Sequence, residues 1–258
     1  MPMQPHRCSV LDRSLYPHLA ATLGDTPETA ISQHHLHQGN CSVYLTGTPE
    51  AFDAVIIQAD TLPGEPVGYG SDPHAIWQLL RRMQGWFCIE VSSECAAPLG
   101  ALIERERDVG VCYLDDLFHV LETPATVWEH DAVRLLIRDD LPLLESAPPE
   151  LRDSCWGHVE TLLTEGIVAC AIVKGEVVAT ALTAACSARY ADIGVFTRED
   201  HRGHGLATAA ASLVARRIQA QGQVPTWSAG AHNAASLRIA SKLGFLQVST
   251  KRYVILAD

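Results

Sequence analysis

The chain has 258 residues, 47% of them apolar, which is enough for one large domain or two smaller ones with hydrophobic cores. Its formal charge of −11 is unevenly shared: residues 1–131 hold 6 arginines and 18 acidic residues, whereas residues 132–258 hold 13 basic and 12 acidic ones. An acidic first half argues against nucleic acids and anionic membranes as partners, and it would suit a cationic substrate or serve solubility alone.

Targeting and metal-binding signals are also weak. No run of about 18 apolar residues is present, and the first eight residues lack the apolar core of a signal peptide, so we expect a cytoplasmic protein. The eight cysteines form no C-x-x-C pair and are expected to be buried, reduced thiols. His34, His35 and His37 have no matching cysteine or carboxylate spacing, so we expect surface histidines in a loop and no metal.

The first half alternates strand and helix patterns, which predicts an α/β layer. Gly and Pro fill residues 62–70, which are therefore predicted as a loop, and Ser71-Asp72-Pro73 is a typical helix start. The predicted helices cover residues 11–23, 73–83 and 94–107, and the predicted strands cover residues 41–46, 54–57, 86–91 and 109–120.

Pro124 and the change in charge balance mark a boundary, which divides the chain into an N-terminal α/β domain (1–125) and a second domain (126–258). In the second domain, Lys174-Gly175 predicts a tight hairpin, and Gly244 closes a helix in a C′ position. The predicted strands cover residues 133–137, 167–173, 176–186, 190–197, 226–229, 245–248 and 252–256, and the predicted helices follow Asp139-Asp140 and cover residues 151–163, 205–221 and 233–243. The pattern predicts a mixed, mostly antiparallel sheet between helices.

A glycine-rich turn, Arg202-Gly203-His204-Gly205, joins the strand 190–197 to the helix that follows. The first N–H groups of a helix lack internal partners and carry the positive end of its dipole, so glycines there allow a diphosphate to approach. The alternative is a strand-to-helix turn that binds nothing. A P-loop is excluded because no lysine follows Gly205, and a dinucleotide fingerprint is excluded because Thr208 stands where Gly or Ala is needed.

Residues 202–207 resemble the R-x-x-G-x-A/G pyrophosphate loop of the GNAT N-acetyltransferase superfamily. Residues 233–245, from Asn233 to K-L-G-F, resemble the closing helix of that superfamily, and Pro225-Thr-Trp-Ser228 narrows the resemblance to the zwittermicin-resistance-like acetyltransferases. The resemblance spans roughly residues 133–256. The first half looks like a degenerate copy in which Gly68-Tyr-Gly70 replaces the phosphate loop without an arginine; we expect it to bind no coenzyme and either to shape the substrate pocket or to give structural support.

The resemblance implies direct transfer from acetyl-CoA to a primary amine of a small molecule within a ternary complex, by a monomer or homodimer that needs no metal. Alternatives are a protein or peptide N-acetyltransferase and a catalytically silent acyl-CoA-binding module. The residues that the resemblance implies for coenzyme binding are Val195, Phe196, Thr197, Arg202, Gly203, His204, Gly205, Leu206, Ala207, Thr208, Asn233 and Ser236. Asn233 could equally be a helix cap, or serve both purposes.

The catalytic assignment is more open. Asp192 is the only carboxylate on the strand 190–197, and burial would make it a general base acting through water; alternatively it faces solvent. Tyr190 shares its face, and His232 is a second base candidate. Ala240 occupies the place where many relatives carry a tyrosine that protonates the leaving thiolate, so Ser236, His232, Tyr190 or solvent would have to replace it.

Overall fold

The computed structural model describes residues 9–257, which form one continuous twelve-stranded sheet flanked by eight α-helices. The helices are α1 (Tyr16–Leu23), α2 (Ala30–Gln38), α3 (Pro73–Leu80), α4 (Ser93–Arg107), α5 (Leu141–Glu145), α6 (Val159–Glu165), α7 (Leu206–Ala220) and α8 (Ala234–Leu243). The strands are β1 (Ser9–Val10), β2 (Cys41–Thr48), β3 (Ala51–Ala59), β4 (Val67–Tyr69), β5 (Cys88–Ser92), β6 (Val111–Val120), β7 (Val133–Leu135), β8 (Val168–Val173), β9 (Glu176–Cys186), β10 (Tyr190–Thr197), β11 (Val224–Gly230) and β12 (Leu246–Leu256).

The two halves of the sheet have equivalent strand orders when each is read inwards from its own end: β1 to β5 and then β12 on one side, and β7 to β11 and then β6 on the other. The full order runs β1-β2-β3-β4-β5-β12-β6-β11-β10-β9-β8-β7, and the only parallel neighbours among the described strands are β4–β5 and β10–β11. The predicted mixed, mostly antiparallel sheet is confirmed. The first half repeats the topology of the second.

The two halves exchange their last strands. β6 follows α4 but pairs with β11 of the second half, while β12, the last strand of the chain, inserts between β5 and β6. The sequence predicted two domains in succession and did not predict this exchange of strands between them. The predicted domain boundary near residue 125 stays a prediction, although pairing across it makes the sheet one structural unit.

Each half has its own hydrophobic core beside the shared sheet. In the first half, α3 and α4 pack residues such as Ile76 and Leu99 against β3, β5 and β12. In the second half, α7 and α8 pack against β9, β10 and β11, with Trp227 and Phe245 in edge-to-face contact at 5.5 Å between ring centroids. Among residues 9–257, no helix combines the length and the apolar character needed to cross a membrane.

The histidine cluster was predicted as a surface loop, and this prediction was wrong. The segment forms α2, and His34 and His35 are buried while His37 is exposed. His34 Nδ1 accepts a hydrogen bond from the backbone N–H of Cys186 at 3.2 Å, and its ring packs edge-on against Trp156. Buried polar rings are tolerated where such partners exist. Burial lowers the pKa of His34 to about 4, so the ring is neutral. Through the contacts of His34 with Cys186 and Trp156, α2 connects the first half to the second.

Other elements differ in detail from the predictions. The two predicted final strands are one, β12, with a register shift between Gln247 and Ser249. The helix predicted over 151–163 begins only at Val159, since residues 149–151 form a 3-10 turn. The Lys174-Gly175 hairpin is confirmed, with both residues at positive φ, and Gly244 ends α8 in the left-handed conformation.

Candidate active site

A wedge opens in the sheet where β10 and β11 separate. The two strands pair in parallel from Tyr190–Val224 to Asp192–Thr226, and no register pair joins them beyond that point in the described chain. A β-bulge against β9 lies between Asp192 and Ile193, and bulges bend a strand away from its neighbour. The β11-facing edge of β10 after Asp192 is therefore available to another extended group.

A cleft of about 480 Å³ extends from this wedge to the start of α7, and we call it the basic cleft. All twelve residues that the sequence assigned to coenzyme binding line it, together with His201, Ala235, Arg238, Ile239 and Lys242. Arg202, Arg238 and Lys242 contribute positive charge, and no carboxylate lines the cleft among the described residues. The basic cleft is electrostatically suited to an anion.

The glycine turn exposes the start of α7. Gly203 and Gly205 have φ of 81° and 79°, and Gly205 is the N-cap residue, so no side chain caps the helix. A Cβ at either glycine would meet no atom within 4 Å, so the positive φ rather than crowding favours glycine here. The first amides of α7 are left facing the basic cleft, which is the arrangement that binds phosphate groups.

Asn233 and Ser236 line the opposite side of the basic cleft. The Asn233 side chain accepts a hydrogen bond from the Ser236 backbone N–H at 3.1 Å, so the predicted helix-cap role is confirmed. Its side-chain amide keeps its own donors for another partner. Ser236 Oγ accepts from the Trp227 indole N–H at 2.9 Å, which leaves the hydroxyl proton free to be donated.

Asp192 lies buried at the base of the wedge, with 7% of its surface exposed. Its carboxylate accepts hydrogen bonds from Thr226 Oγ1 at 3.2 Å and from the Ser228 backbone N–H. Burial raises the pKa of Asp192 to about 7, against the lowering effect of those two hydrogen bonds. The alternative that Asp192 faces solvent is thus wrong, and a carboxyl with this pKa exchanges protons near neutral pH.

The other two catalytic candidates lie apart from the basic cleft. Tyr190 is buried with Ala30 of α2 and Val120 of β6, and it does not line the cleft. His232 is exposed in the turn before α8, with its ring against Gly230. Of the predicted catalytic residues, only Ser236 lines the basic cleft, and Asp192 lies beside it at the strand separation.

Sequence reasoning missed a second cavity of about 280 Å³ between the two halves, which we call the acidic cavity. Its carboxylates are Glu28, Glu65, Glu90, Asp116 and Asp153. One signal was available: Glu90 interrupts the apolar strand Cys88-Ile89-Glu90-Val91. A charged residue in a strand that is otherwise buried marks either an ion pair or a site.

Comparisons with known proteins agree with this geometry. Residues 137–256 match the sequence model of the GNAT acetyltransferase family, whereas no curated protein matches the chain. The fold is similar to that of a GCN5-related N-acetyltransferase-like protein from Streptococcus suis, with a TM-score of 0.70 and 22% identity over 95% of this chain and 99% of that one. A protein from Drosophila gives 0.69 with 13% identity, covering 97% and 98% of the two chains.

A tandem GNAT protein from the clavulanic acid biosynthesis pathway has a TM-score of 0.58 and 11% identity, over 98% of both chains. At these identities the structures show a shared fold alone, and the near-complete coverage extends that fold to both halves. The family match covers the half that holds the wedge and the basic cleft. Residues 137–256 are therefore a GNAT acetyltransferase domain, and the protein is an enzyme of the N-acetyltransferase type.

Proposed function

We propose that the protein transfers the acetyl group of acetyl-CoA to a primary amine of a small molecule, by direct attack within a ternary complex. The observation that carries the proposal is the separation of β10 from β11 at Asp192, with the basic cleft on one side of it. The finer resemblance to zwittermicin-resistance-like acetyltransferases stays a prediction that rests on residues 225–228.

The basic cleft suits the negative charge of the coenzyme. The pantetheine arm would pair with the free backbone edge of Val195, Phe196 and Thr197 as an added strand. The diphosphate would meet the first amides of α7 and the turn from Arg202 to Gly205, where the open helix end and the cationic side chains favour negative charge. The Asn233 amide faces the same cleft and would donate to the arm.

Acetyl transfer forms an N–C bond and breaks the C–S bond of the thioester. An ammonium acceptor first loses one proton, which Asp192 takes through a water molecule because its pKa of about 7 suits exchange near neutral pH. The amine then attacks the carbonyl carbon, the tetrahedral intermediate expels the thiolate, and the nitrogen releases its second proton. The thiolate takes up one proton, so the net products are amide, CoA thiol and one proton.

Ser236 is the candidate closest to the role left open by Ala240. Its oxygen is held by the Trp227 indole, and its hydroxyl proton can stabilise the leaving sulfur by a hydrogen bond. A serine hydroxyl is too weak an acid to give its proton up, so solvent would supply the proton that the thiolate finally takes.

Direct transfer is favoured over an acetyl-cysteine intermediate by the state of the nearby thiols. Cys155 is electrostatically coupled to Asp192, and burial raises its pKa to about 12. Burial also raises the pKa of Cys186 to about 11. Neither thiol is ionised near neutral pH, and the thiolate is the nucleophilic form.

The first half would bind no coenzyme, because its counterpart of the phosphate loop is short and already filled. Only residues 70–72 separate β4 from α3, against residues 198–205 between β10 and α7. The Asp72 carboxylate accepts from the His74 N–H at 2.9 Å, so a negative charge already occupies the start of α3. We propose that this half instead shapes the acceptor site.

Turnover with a panel of amines tests the proposal. We expect acetyl-CoA-dependent CoA release together with acetylated product for small primary amines. Acetylation of peptides alone would favour the protein N-acetyltransferase alternative. Coenzyme binding without product from any amine or peptide would favour a silent binding module.

A further inference from the structure

The acidic cavity lies between the two halves and is lined by both. The first half contributes α2, β3, β5 and β6, and the second contributes β9, β11, β12 and residues 153–155. Five carboxylates line it, and no lysine or arginine does so among the described residues. Its volume of about 280 Å³ lies at the small end of ligand pockets. Acidic residues alone do not define a binding site. The burial, hydrogen bonds and protonation of each carboxylate determine whether the cavity can bind a cation.

Glu90 provides the second observation. It is 4% exposed and lines the cavity; its Oε2 accepts from Lys251 Nζ at 2.7 Å, while its Oε1 is buried without a hydrogen-bond partner among residues 9–257. A buried carboxylate oxygen without a donor is costly. Besides Lys251, Glu90 finds a donor within the described chain only in the carboxyl of Asp116 when that carboxyl is protonated, and an ammonium group can take the place of that proton.

Asp116 and Glu90 lie on opposite sides of β12. Asp116 of β6 pairs in register with Lys251, and Glu90 of β5 pairs with Tyr253, two residues further along β12. Lys251 balances only one of these two buried carboxylates. Burial raises the pKa of Asp116 to about 7, and repulsion from Glu90 and Asp192 acts in the same direction. At neutral pH this group keeps a proton for part of the time, and a bound cation would replace that proton.

The acidic cavity lies next to Asp192, although Asp192 does not itself line it. Ser228 of β11 lines it, and the backbone N–H of the same residue donates to Asp192. Ile57, Phe118 and Tyr253 also line the cavity, so apolar surface accompanies the carboxylates. A short hydrocarbon chain with a cation at each end matches a lining that combines acidic and apolar side chains.

We propose that the acidic cavity is the acceptor site and that the acceptor is a small molecule with at least two ammonium groups. One ammonium is held by Glu90 and Asp116, and the other is presented to Asp192 for acetylation. The inference rests on the proposed function and deepens it by naming the acceptor class.

The kinetic test compares α,ω-diaminoalkanes of about three to six carbons with n-alkylamines of the same length. We expect kcat/KM for the best diamine to exceed that of its matched monoamine by about a hundredfold, because hydrogen bonds to charged groups are worth factors of about ten to a hundred each. Asp116→Asn should raise the KM for the diamine about tenfold or more, reduce the preference for the diamine over the matched monoamine in kcat/KM by a similar factor, and leave the Kd of acetyl-CoA nearly unchanged.

Two further variants guard against misfolding. Glu65→Gln changes a half-buried carboxylate at the cavity wall and should also raise the KM for the diamine, while exposed Glu145 lies outside the cavity and Glu145→Gln should change nothing. Circular dichroism checks that each variant is folded. Equal kcat/KM for diamines and monoamines, or insensitivity to both cavity variants, overturns the inference while amine acetylation itself still stands.

A binding measurement separates this inference from the proposed function. Calorimetric titration of the diamine into the protein without acetyl-CoA should show saturable binding with proton release near pH 7, lost in folded Asp116→Asn. Failure of every amine to be acetylated would refute the proposed function and leave this binding in place. Absence of diamine binding to the wild-type protein would overturn the acceptor-site assignment.

Discussion

Asp192 gives the sharpest test of the mechanism, because it is the only predicted base that the structure buries at the strand separation. Its pKa is raised by burial to about 7, so about half the molecules hold the carboxylate at pH 7. If Asp192 accepts the proton, kcat/KM for the amine should fall about tenfold for each pH unit below about 7, because kcat/KM reports the ionisation of the enzyme before the amine binds. An unperturbed aspartate, with its pKa near 3.8, would give a flat profile between pH 5 and 8.

Asp192→Asn keeps the shape of the side chain and removes its charge. General-base assistance is typically worth about 10²–10⁴ in rate, so kcat at pH 8 should fall by at least the lower factor, and the profile near pH 7 should flatten. The affinity for acetyl-CoA should barely change, because the basic cleft is formed by residues beyond this point of the strand.

A stability control follows from the sign of the shift. A carboxyl whose pKa is raised on folding contributes stability below its unfolded pKa, and that contribution is lost as the pH rises through about 7. At pH 8 the ionised Asp192 is therefore unfavourable to the fold, and Asp192→Asn should have a Tm equal to or above that of the wild type. A loss of activity at pH 8 would then not reflect unfolding.

The assay is steady-state turnover at saturating acetyl-CoA over a range of amine concentrations, which gives both kcat and kcat/KM, with exposed Asp131→Asn as the matched control. Asp116→Asn is measured beside it, since burial also raises the pKa of Asp116 to about 7 and either group could produce the acidic limb. Normal turnover by Asp192→Asn refutes the reasoning. If His232→Ala abolishes turnover instead, the proton passes through the histidine.

Three more outcomes are expected. Gly205→Val should raise the Kd of acetyl-CoA, measured by calorimetry, at least about tenfold. Gly175→Val is the control, because Gly175 has a similar positive φ in a hairpin outside the basic cleft. It should introduce the same backbone strain of about 1–2 kcal/mol and leave the Kd unchanged. Residues 126–258 expressed alone should aggregate on size-exclusion chromatography, because both neighbours of β12 belong to the first half; a stable monomer would contradict this. Iodoacetamide should label exposed Cys112 before buried Cys170, whose pKa burial raises to about 12, as peptide mass spectrometry would show.

Local chemistry made much of the second half predictable. The strand Tyr190–Thr197 and the helices α7 and α8 lie where periodicity, glycine turns and the Asn233 cap placed them, and their order brings the predicted coenzyme residues to one cleft. These features depend on contacts within a few residues of the chain. The resemblance of residues 202–207 and 233–245 to two motifs of one superfamily then predicted the fold of the whole second half.

The features that sequence reasoning missed depend on distant contacts. Residues 30–38 seemed polar enough for a loop, and only the backbone of Cys186 and the ring of Trp156 explain why His34 is buried. The place of β12 is likewise set by its partners β5 and β6, which no periodicity can identify. The acidic cavity combines residues from both halves, so its carboxylates looked like ordinary surface charge.

The exchange of last strands also constrains how the chain is made. During synthesis, the first half emerges with β5 and β6 complete but without the strand that belongs between them. The roughly 125 residues that separate the end of β6 from the start of β12 take roughly 6–25 s to synthesise at the usual rate of about 5–20 residues per second. For that interval two sheet edges stay open to other chains, and unpaired edges promote aggregation. The enzyme can close its sheet, and with it the acidic cavity that Tyr253 helps to line, only once β12 has left the ribosome.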